Sequence, residues 1–297
     1  MVVVICVFFL PGNFSGLAAA QQPPTASRAA KIETLRSPHP AIKVWREIRY
    51  QPRLVRFYVI EIDARTKHLI WDVAVAPDPD GEGPSQAGLM DQVELARRNG
   101  LIAAVATNAF GLRPAEPKTS TPPSGDTRGA TPKPVVEVYG WVKTRTRTVA
   151  PVDPGKWSFW ITPEGVPQIG NPKEEVPAQI AVAGFGPLVL DGKVVAGSGG
   201  TPDIQIALGL DRDRARVFLV GVDGRRPGWS GGLTNHELAT LLLELGAYWA
   251  ILLDPSGSGI IRDSATGRFI VLSRGVDIIG LRPRPVLLGV RPAYSSP

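Results

Sequence analysis

The sequence predicts an α/β chain of the α+β kind, with mixed β-sheets and a few packed helices in a single large domain. Three observations carry this expectation. The 297 residues are 43% hydrophobic, enough for a substantial core. Short apolar runs bounded by Gly, Pro and Asp recur along most of the chain, the pattern of strands. Only two stretches carry a helical repeat, and each leads through a glycine into an apolar run that ends on a polar residue, Asn108 or Asp254.

From the N-terminus, Val2 to Leu10 is apolar but too short to span a bilayer, and Ala18-Ala19-Ala20 suits signal peptidase. Residues 1–20 are therefore expected to be a signal peptide, without Lys or Arg after Met1, and the mature protein to be secreted or periplasmic with no stable membrane span after processing. The single cysteine, Cys6, lies inside that segment, so the mature chain is expected to have neither disulfides nor a thiol nucleophile. Residues 21–41, rich in Pro, Ala and Ser, read as a flexible linker, with order starting near Ile42 and one domain running over 42–297.

Leu54 to Ile62 and Leu69 to Val75 are strand-like and separated by Asp63-Ala64-Arg65-Thr66-Lys67, which predicts a hairpin. Leu89 to Asn99 predicts a short helix closed by Gly100, and Leu101 to Ala106 a strand. Residues 113–134 are dominated by Pro, Thr, Ser and Gly and read as a long loop. Val135 to Val142, Trp157 to Ile161, Pro187 to Leu190 and Lys193 to Val195 read as strands, the last two joined by the hairpin signal Asp191-Gly192. Ile204 to Leu210 and Arg216 to Val222 predict a second hairpin, and Phe269 to Leu272 and Pro285 to Val290 further strands. Thr234 and Glu237 have capping-box spacing ahead of Leu238, Leu241, Leu242 and Leu245, which predicts an amphipathic helix ended by Gly246 and followed by a buried strand, Tyr248 to Leu253.

Asn108 lies eight residues beyond Gly100 and Asp254 eight beyond Gly246, so both polar residues are expected at the carboxyl ends of core strands, lining one pocket with Arg225. A carboxylate followed by Pro255-Ser256-Gly257-Ser258-Gly259 has backbone donors and hydroxyls around it and little bulk to bar a ligand. The plain alternative for Asp-Pro-Ser-Gly is a turn closed by an Asx bond, and for Asp223-Gly224-Arg225 a turn carrying a surface charge. No dinucleotide fingerprint or phosphate-binding P-loop motif is present, the three histidines are isolated, and Asp211-Arg212-Asp213 lacks the rest of a calcium loop, so neither cofactor nor metal is expected. The net charge of +6 is spread thinly. Its richest stretch, Lys31 to Arg56, reads as solvated surface, and no nucleic-acid partner is expected.

These residues carry a family resemblance. Asn108-Ala109-Phe110, Gly186-Pro187-Leu188-Val189-Leu190-Asp191-Gly192, Val222-Asp223-Gly224-Arg225, Gly232-Leu233-Thr234, Leu253-Asp254 and Arg284-Pro285-Val286 occur in an order that resembles the phosphodiester glycosidase family. The resemblance spans about Leu54 to Val290 and implies hydrolysis of a sugar-1-phosphodiester, in bacteria often in exopolysaccharide or cell-wall metabolism. It assigns catalysis to Asp254, Arg225 and Asp223, and substrate binding to Asn108, Ser256, Gly257, Ser258 and Arg284, with a sugar phosphodiester or anionic glycan as the partner. The chain departs from the family's usual N-G-G-F-F at Asn108-Ala109-Phe110-Gly111-Leu112 and from L-D-G-G-G-S at Leu253-Asp254-Pro255-Ser256-Gly257-Ser258. Two classes therefore stand side by side, a hydrolase and a catalytically degenerate glycan-binding module of the same fold.

Overall fold

The computed structural model describes residues 30–78, 81, 85–112, 134–274 and 281–293. The expected signal peptide and most of the Pro-rich loop over 113–134 lie outside the described residues. An eight-stranded sheet runs in the order Lys31–Thr34, Ile42–Arg49, Val55–Asp63, Arg216–Val222, Gln205–Asp211, Ala247–Leu252, Pro187–Leu190 and Lys193–Val194. A five-stranded sheet is made of Phe269–Val271, Gly259–Arg262, Ala103–Ala106, Val286–Pro292 and Leu69–Val75. Another contains Thr148–Ala150, Val142–Lys143, Ile180–Ala183, Ser158–Ile161 and Pro167–Gly170. Gln86–Ala87, Val136–Val138 and Phe110–Leu112 form a three-stranded sheet, and the described strand pairings are antiparallel. Together with the two helices this is the α+β architecture that the sequence predicts.

The layering follows from period-two burial on strands that are apolar on both faces. In Val55–Asp63, Tyr58, Ile60 and Ile62 enter the core between the large sheet and the five-stranded sheets, while Val55, Phe57 and Val59 face the opposite way. There they meet Leu238, Leu241 and Leu242 of helix α2, Asn235–Glu244. In Ala103–Ala106, Val105 enters the central core, and Ala104 and Ala106 meet Leu95 and Ala96 of helix α1, Gln92–Arg98. The layers are thus helix, sheet, sheet, helix.

Local signals place both helices. Thr234 and Glu237 close a reciprocal capping box on α2, and Asp91 caps α1 by accepting from the Glu94 N–H at 2.9 Å. The chain leaves the helices through Gly100 and Gly246 at φ +66° and +97°, conformations that glycine adopts without a Cβ penalty. Asp191 and Gly192 both have positive φ and join Pro187–Leu190 to Lys193–Val194, and Gln205–Asp211 pairs with Arg216–Val222, so both of these hairpins form as predicted.

The hairpin expected between Leu54–Ile62 and Leu69–Val75 does not form. Val55–Asp63 is buried on both faces and pairs along both edges, with Ile42–Arg49 and Arg216–Val222, so Leu69–Val75 crosses to the other sheet and pairs with Val286–Pro292. The stretch Val135 to Val142 is broken at Gly140, φ +80°, and its halves enter different sheets. Order begins before Ile42: Lys31–Thr34 pairs with Ile42–Arg49 as an exposed edge strand, held by backbone bonds and without a core face of its own.

Candidate functional site

Thr107-Asn108 and Leu253-Asp254 leave their strands at the same place, because the Asp254 N–H donates to the Thr107 carbonyl at 2.9 Å. The matched eight-residue offsets therefore bring Asn108 and Asp254 onto neighbouring backbone. Asp254 is 8% exposed and divides its oxygens between two tasks. Oδ1 accepts from the Ser256 backbone N–H at 2.9 Å and from the Ser256 hydroxyl, the Asx turn that the local sequence favours, while Oδ2 accepts from Arg284 Nη1 at 3.3 Å. Arg284 is 2% exposed, and its guanidinium carbon lies 5.3 Å from the Phe110 ring centroid. This is a buried ion pair at the end of a core strand, where removing either partner would leave the other charge buried without it.

The loop after Asp254 is clamped from below. A Cβ on Gly257 would lie 2.2 Å from the Ala106 Cβ, so only glycine lets the loop rest on that strand. The Ser258 N–H donates to Gln92 Oε1 at 3.1 Å, and the Ser258 hydroxyl bonds the Gly259 carbonyl at 3.0 Å and the Ser273 hydroxyl at 2.7 Å. Gln92, fully buried on α1, was not found from the sequence; the signal was a polar residue inside an otherwise apolar helix face.

Asn108 is placed beside Asp254, but its side chain is spent on the protein. Nδ2 donates to the carbonyls of Tyr139 at 3.0 Å and Trp141 at 3.3 Å, and Oδ1 accepts from the Ala183 N–H at 3.3 Å and the Thr107 hydroxyl at 3.0 Å. The residue expected to bind substrate directly instead ties three strand ends together.

A cavity of about 460 Å³ has a wall that includes Arg46, Arg56, Tyr58, Asp223, Trp229 and Arg274. Asp223 Oδ2 accepts from the Trp229 indole N–H at 2.8 Å and Oδ1 from the Arg274 backbone N–H at 3.0 Å. Tyr58 forms the floor: its ring packs against Gly221 and Gly259, where any Cβ would come within 2.2 and 2.4 Å of ring atoms. Its hydroxyl lies close to the Gly259 backbone but meets no partner in hydrogen-bonding geometry among the described residues. Burial, reinforced by the Asp223 charge, pushes the phenol far above its usual range, so it remains a neutral donor. Ser273 also lines the cavity, so its bond to Ser258 links the cavity to the Asp254 loop.

The expectation that Arg225 shares one pocket with Asn108 and Asp254 is corrected. Arg225 has φ +54°, is largely exposed, and makes a bidentate pair with Asp203, Nε to Oδ1 at 2.5 Å and Nη2 to Oδ2 at 2.6 Å. None of Arg225, Asn108 and Asp254 lines the cavity, and the turn-with-surface-charge reading describes Arg225. The pair holds the Asp203 carboxyl below its ordinary range, chiefly through the Arg225 hydrogen bonds. The arginines that do line the cavity, Arg46, Arg56 and Arg274, carry no motif signal, because two of them come from an N-terminal strand pair distant in sequence from every motif and read as solvated surface. Among the described residues no cluster of three or more His, Cys, Asp or Glu could hold a metal ion.

Comparison with known proteins bears on the family and the fold. The family model described as phosphodiester glycosidase matches residues 99–259, more than half the chain and the span that carries Asn108, Asp223, Asp254 and Ser258. No curated protein matches the chain. Among solved structures, the zebrafish N-acetylglucosamine-1-phosphodiester alpha-N-acetylglucosaminidase catalytic domain, auto-inhibited by its pro-peptide, superposes with a TM-score of 0.59 at 15% identity, covering 88% of each chain. A hypothetical protein from Synechocystis gives 0.57 at 13% identity over 88% of this chain and 68% of its own. A protein from Burkholderia pseudomallei K96243 named as exported gives 0.52 at 15% identity over 84% and 76%. The likeness in structure lies in the fold, and the family match covers the strand ends and loops of the site: the chain belongs to the phosphodiester glycosidase family.

Proposed function

We propose that the protein is a hydrolase that cleaves a sugar-1-phosphodiester, with Asp254 and Asp223 as its working carboxylates. The observation that carries this reading is that the family match runs through both carboxylates, each held by donors at a strand end, Asp223 in the cavity wall and Asp254 on the loop that the Ser258–Ser273 bond joins to that wall. In such a reaction the bond from C1 to the bridging oxygen breaks, the phosphate leaves as a monoester, and water supplies the hydroxyl to C1 and gives up its proton. A phosphate monoester is a good leaving group, so protonating it matters less than stabilising the oxocarbenium-like centre and the departing anion. Asp254 serves the positive centre and Arg284 positions it, because the ion pair locks the carboxylate in place. Ser256, Gly257 and Ser258 shape the loop, and Asn108 acts through the backbone it braces.

A second reading has one observation in its favour. The Ser256 hydroxyl donates to Asp254 Oδ1 in addition to the backbone N–H, a second bond that the family's usual glycine would not make, which suits a glycan-binding module of the same fold. Replacing Pro255 and Ser256 together by glycine separates the two: gain of hydrolysis by an inactive wild type places the defect in these residues. Export, and action on cell-surface or exopolysaccharide substrates, is part of the proposal. It rests on the apolar run Val2 to Leu10, the Ala18-Ala19-Ala20 site and the name of the Burkholderia relative. Intact mass of the product tests it, with a mature start near Gln21 expected and a retained Met1 to Ala20 against it.

A further inference from the structure

The cavity holds an arginine pair whose arrangement serves no structural need already described. The guanidinium carbons of Arg56 and Arg274 lie 3.9 and 3.6 Å from the centroid of the Trp229 ring. Two planar groups so close to one centroid would overlap on a single face, so the indole sits between them. Trp229 is itself anchored, through its indole N–H on Asp223 and through its carbonyl, which accepts from Arg56 Nε at 3.0 Å. A guanidinium stacked by its face keeps its in-plane N–H groups available, and those edges match the paired oxygens of a phosphate.

Those edges are open here. The terminal nitrogens of Arg56 and the guanidinium of Arg274 make no bond to a protein acceptor among the described residues. The neighbouring carboxylates are already engaged: Glu47 pairs with Arg49 at 2.7 Å, and both oxygens of Asp223 accept N–H donors. Glu33 and Lys31, of opposite charge, lie on the exposed edge strand of the rim. Arg46 adds a third cation, braced on the carbonyls of Val271 at 2.8 Å and Leu272 at 3.2 Å. The Tyr58 ring closes the cavity from below, its hydroxyl buried between Gly221 and Gly259.

We infer that this cavity is a phosphate-binding site in which Arg56 and Arg274, held apart and in register by Trp229, form the clamp. The inference rests on the proposed function for the sugar part of the ligand and on the arginine pair alone for its anionic part. A cavity of about 460 Å³ exceeds what a bare phosphate fills, so the ligand class is a phosphate ester carrying a sugar-sized group.

Calorimetric titration of the purified mature protein with inorganic phosphate and with glycerol 3-phosphate tests the clamp without needing turnover. Saturable binding that weakens with added salt is expected, with affinity falling about tenfold in each of Arg56→Gln and Arg274→Gln. The Arg274→Lys variant should recover only part of the loss, because an ammonium lacks the planar fork. Arg274 is exposed and its side chain makes no hydrogen bond to protein, so Arg274→Gln is expected to fold normally and keeps the test decisive if Arg56→Gln does not. Unchanged phosphate affinity in Arg274→Gln, no phosphate binding by wild type, or loss of binding in Arg225→Ala in place of the clamp variants would each overturn the inference. Clamp-dependent phosphate binding without cleavage of any sugar phosphodiester would support the clamp and remove the hydrolase reading. Cleavage with a clamp-independent phosphate affinity would do the reverse.

Discussion

Gly221→Ala is expected to destabilise the protein through a single contact, the ring of Tyr58. An added Cβ would stand 2.2 Å from ring carbons, against an optimal carbon–carbon separation of about 3.5–4.0 Å, an interpenetration of more than ~1 Å. The ring cannot withdraw, because Tyr58 is 1% exposed and Gly259 of the other sheet lies against it. Overpacking of this kind costs about 1–3 kcal/mol, which at about 2–4 °C per kcal/mol lowers the melting temperature by several degrees. Tyr58→Ala alone removes a large buried ring and costs about 3–5 kcal/mol. In that background the new methyl enters vacated space, so Gly221→Ala should then cost no more than about 0.5 kcal/mol, a coupling of about 0.5 kcal/mol or more. Urea denaturation of the four proteins of the cycle supplies the energies. Equal costs of Gly221→Ala in both backgrounds would refute the claim that Tyr58 spans the two sheets as the cavity floor.

Three further outcomes follow from the same geometry. Asn108→Ala should cost about 1–3 kcal/mol or more in denaturant stability, because it strands the Ala183 N–H and two strand-end carbonyls in a buried place, and activity should fall with folding. Burial pushes the Glu237 carboxyl up, but Arg53 and the Thr234 N–H outweigh it and hold the group below its ordinary 4.5. A depressed carboxylate contributes stability above that value and loses it as pH falls through the folded-state value, so Glu237→Gln should flatten stability against pH below about 4.5 while leaving substrate turnover near wild type. Thr234→Ala removes the other half of the capping box and should cost about 0.5–2 kcal/mol by thermal unfolding.

Much of the fold was legible because its signals are local. The capping box of Thr234 and Glu237, the positive-φ glycines at 100 and 246, and the Asp191-Gly192 turn each specify conformation from adjacent residues. The pairing of Val55–Asp63 was not, since a strand buried on both faces carries no mark of which neighbours it takes, and its nearest apolar run in sequence was the wrong one. At the site, the spacing of Asn108 and Asp254 located the loops correctly, but sequence could not tell a side chain facing ligand from one consumed by backbone, as Asn108 is. Arg225 was legible as a motif residue and misleading as chemistry, because its acceptor, Asp203, lies in a stretch that carries no motif. Arg56, Trp229 and Arg274 come from three separate segments, and only the folded chain brings them together.

The central claim is tested most directly by a hydrolysis screen of sugar-1-phosphodiesters with the purified mature protein, reading the release of free sugar and phosphate monoester. Wild type should cleave at least one substrate of the panel, and Asp254→Asn and Asp223→Asn should each reduce its rate about 100- to 1000-fold with folding retained. Failure of wild type to cleave any substrate, together with retained glycan binding, would contradict the hydrolase account, as would a wild-type rate in a folded Asp254→Asn variant.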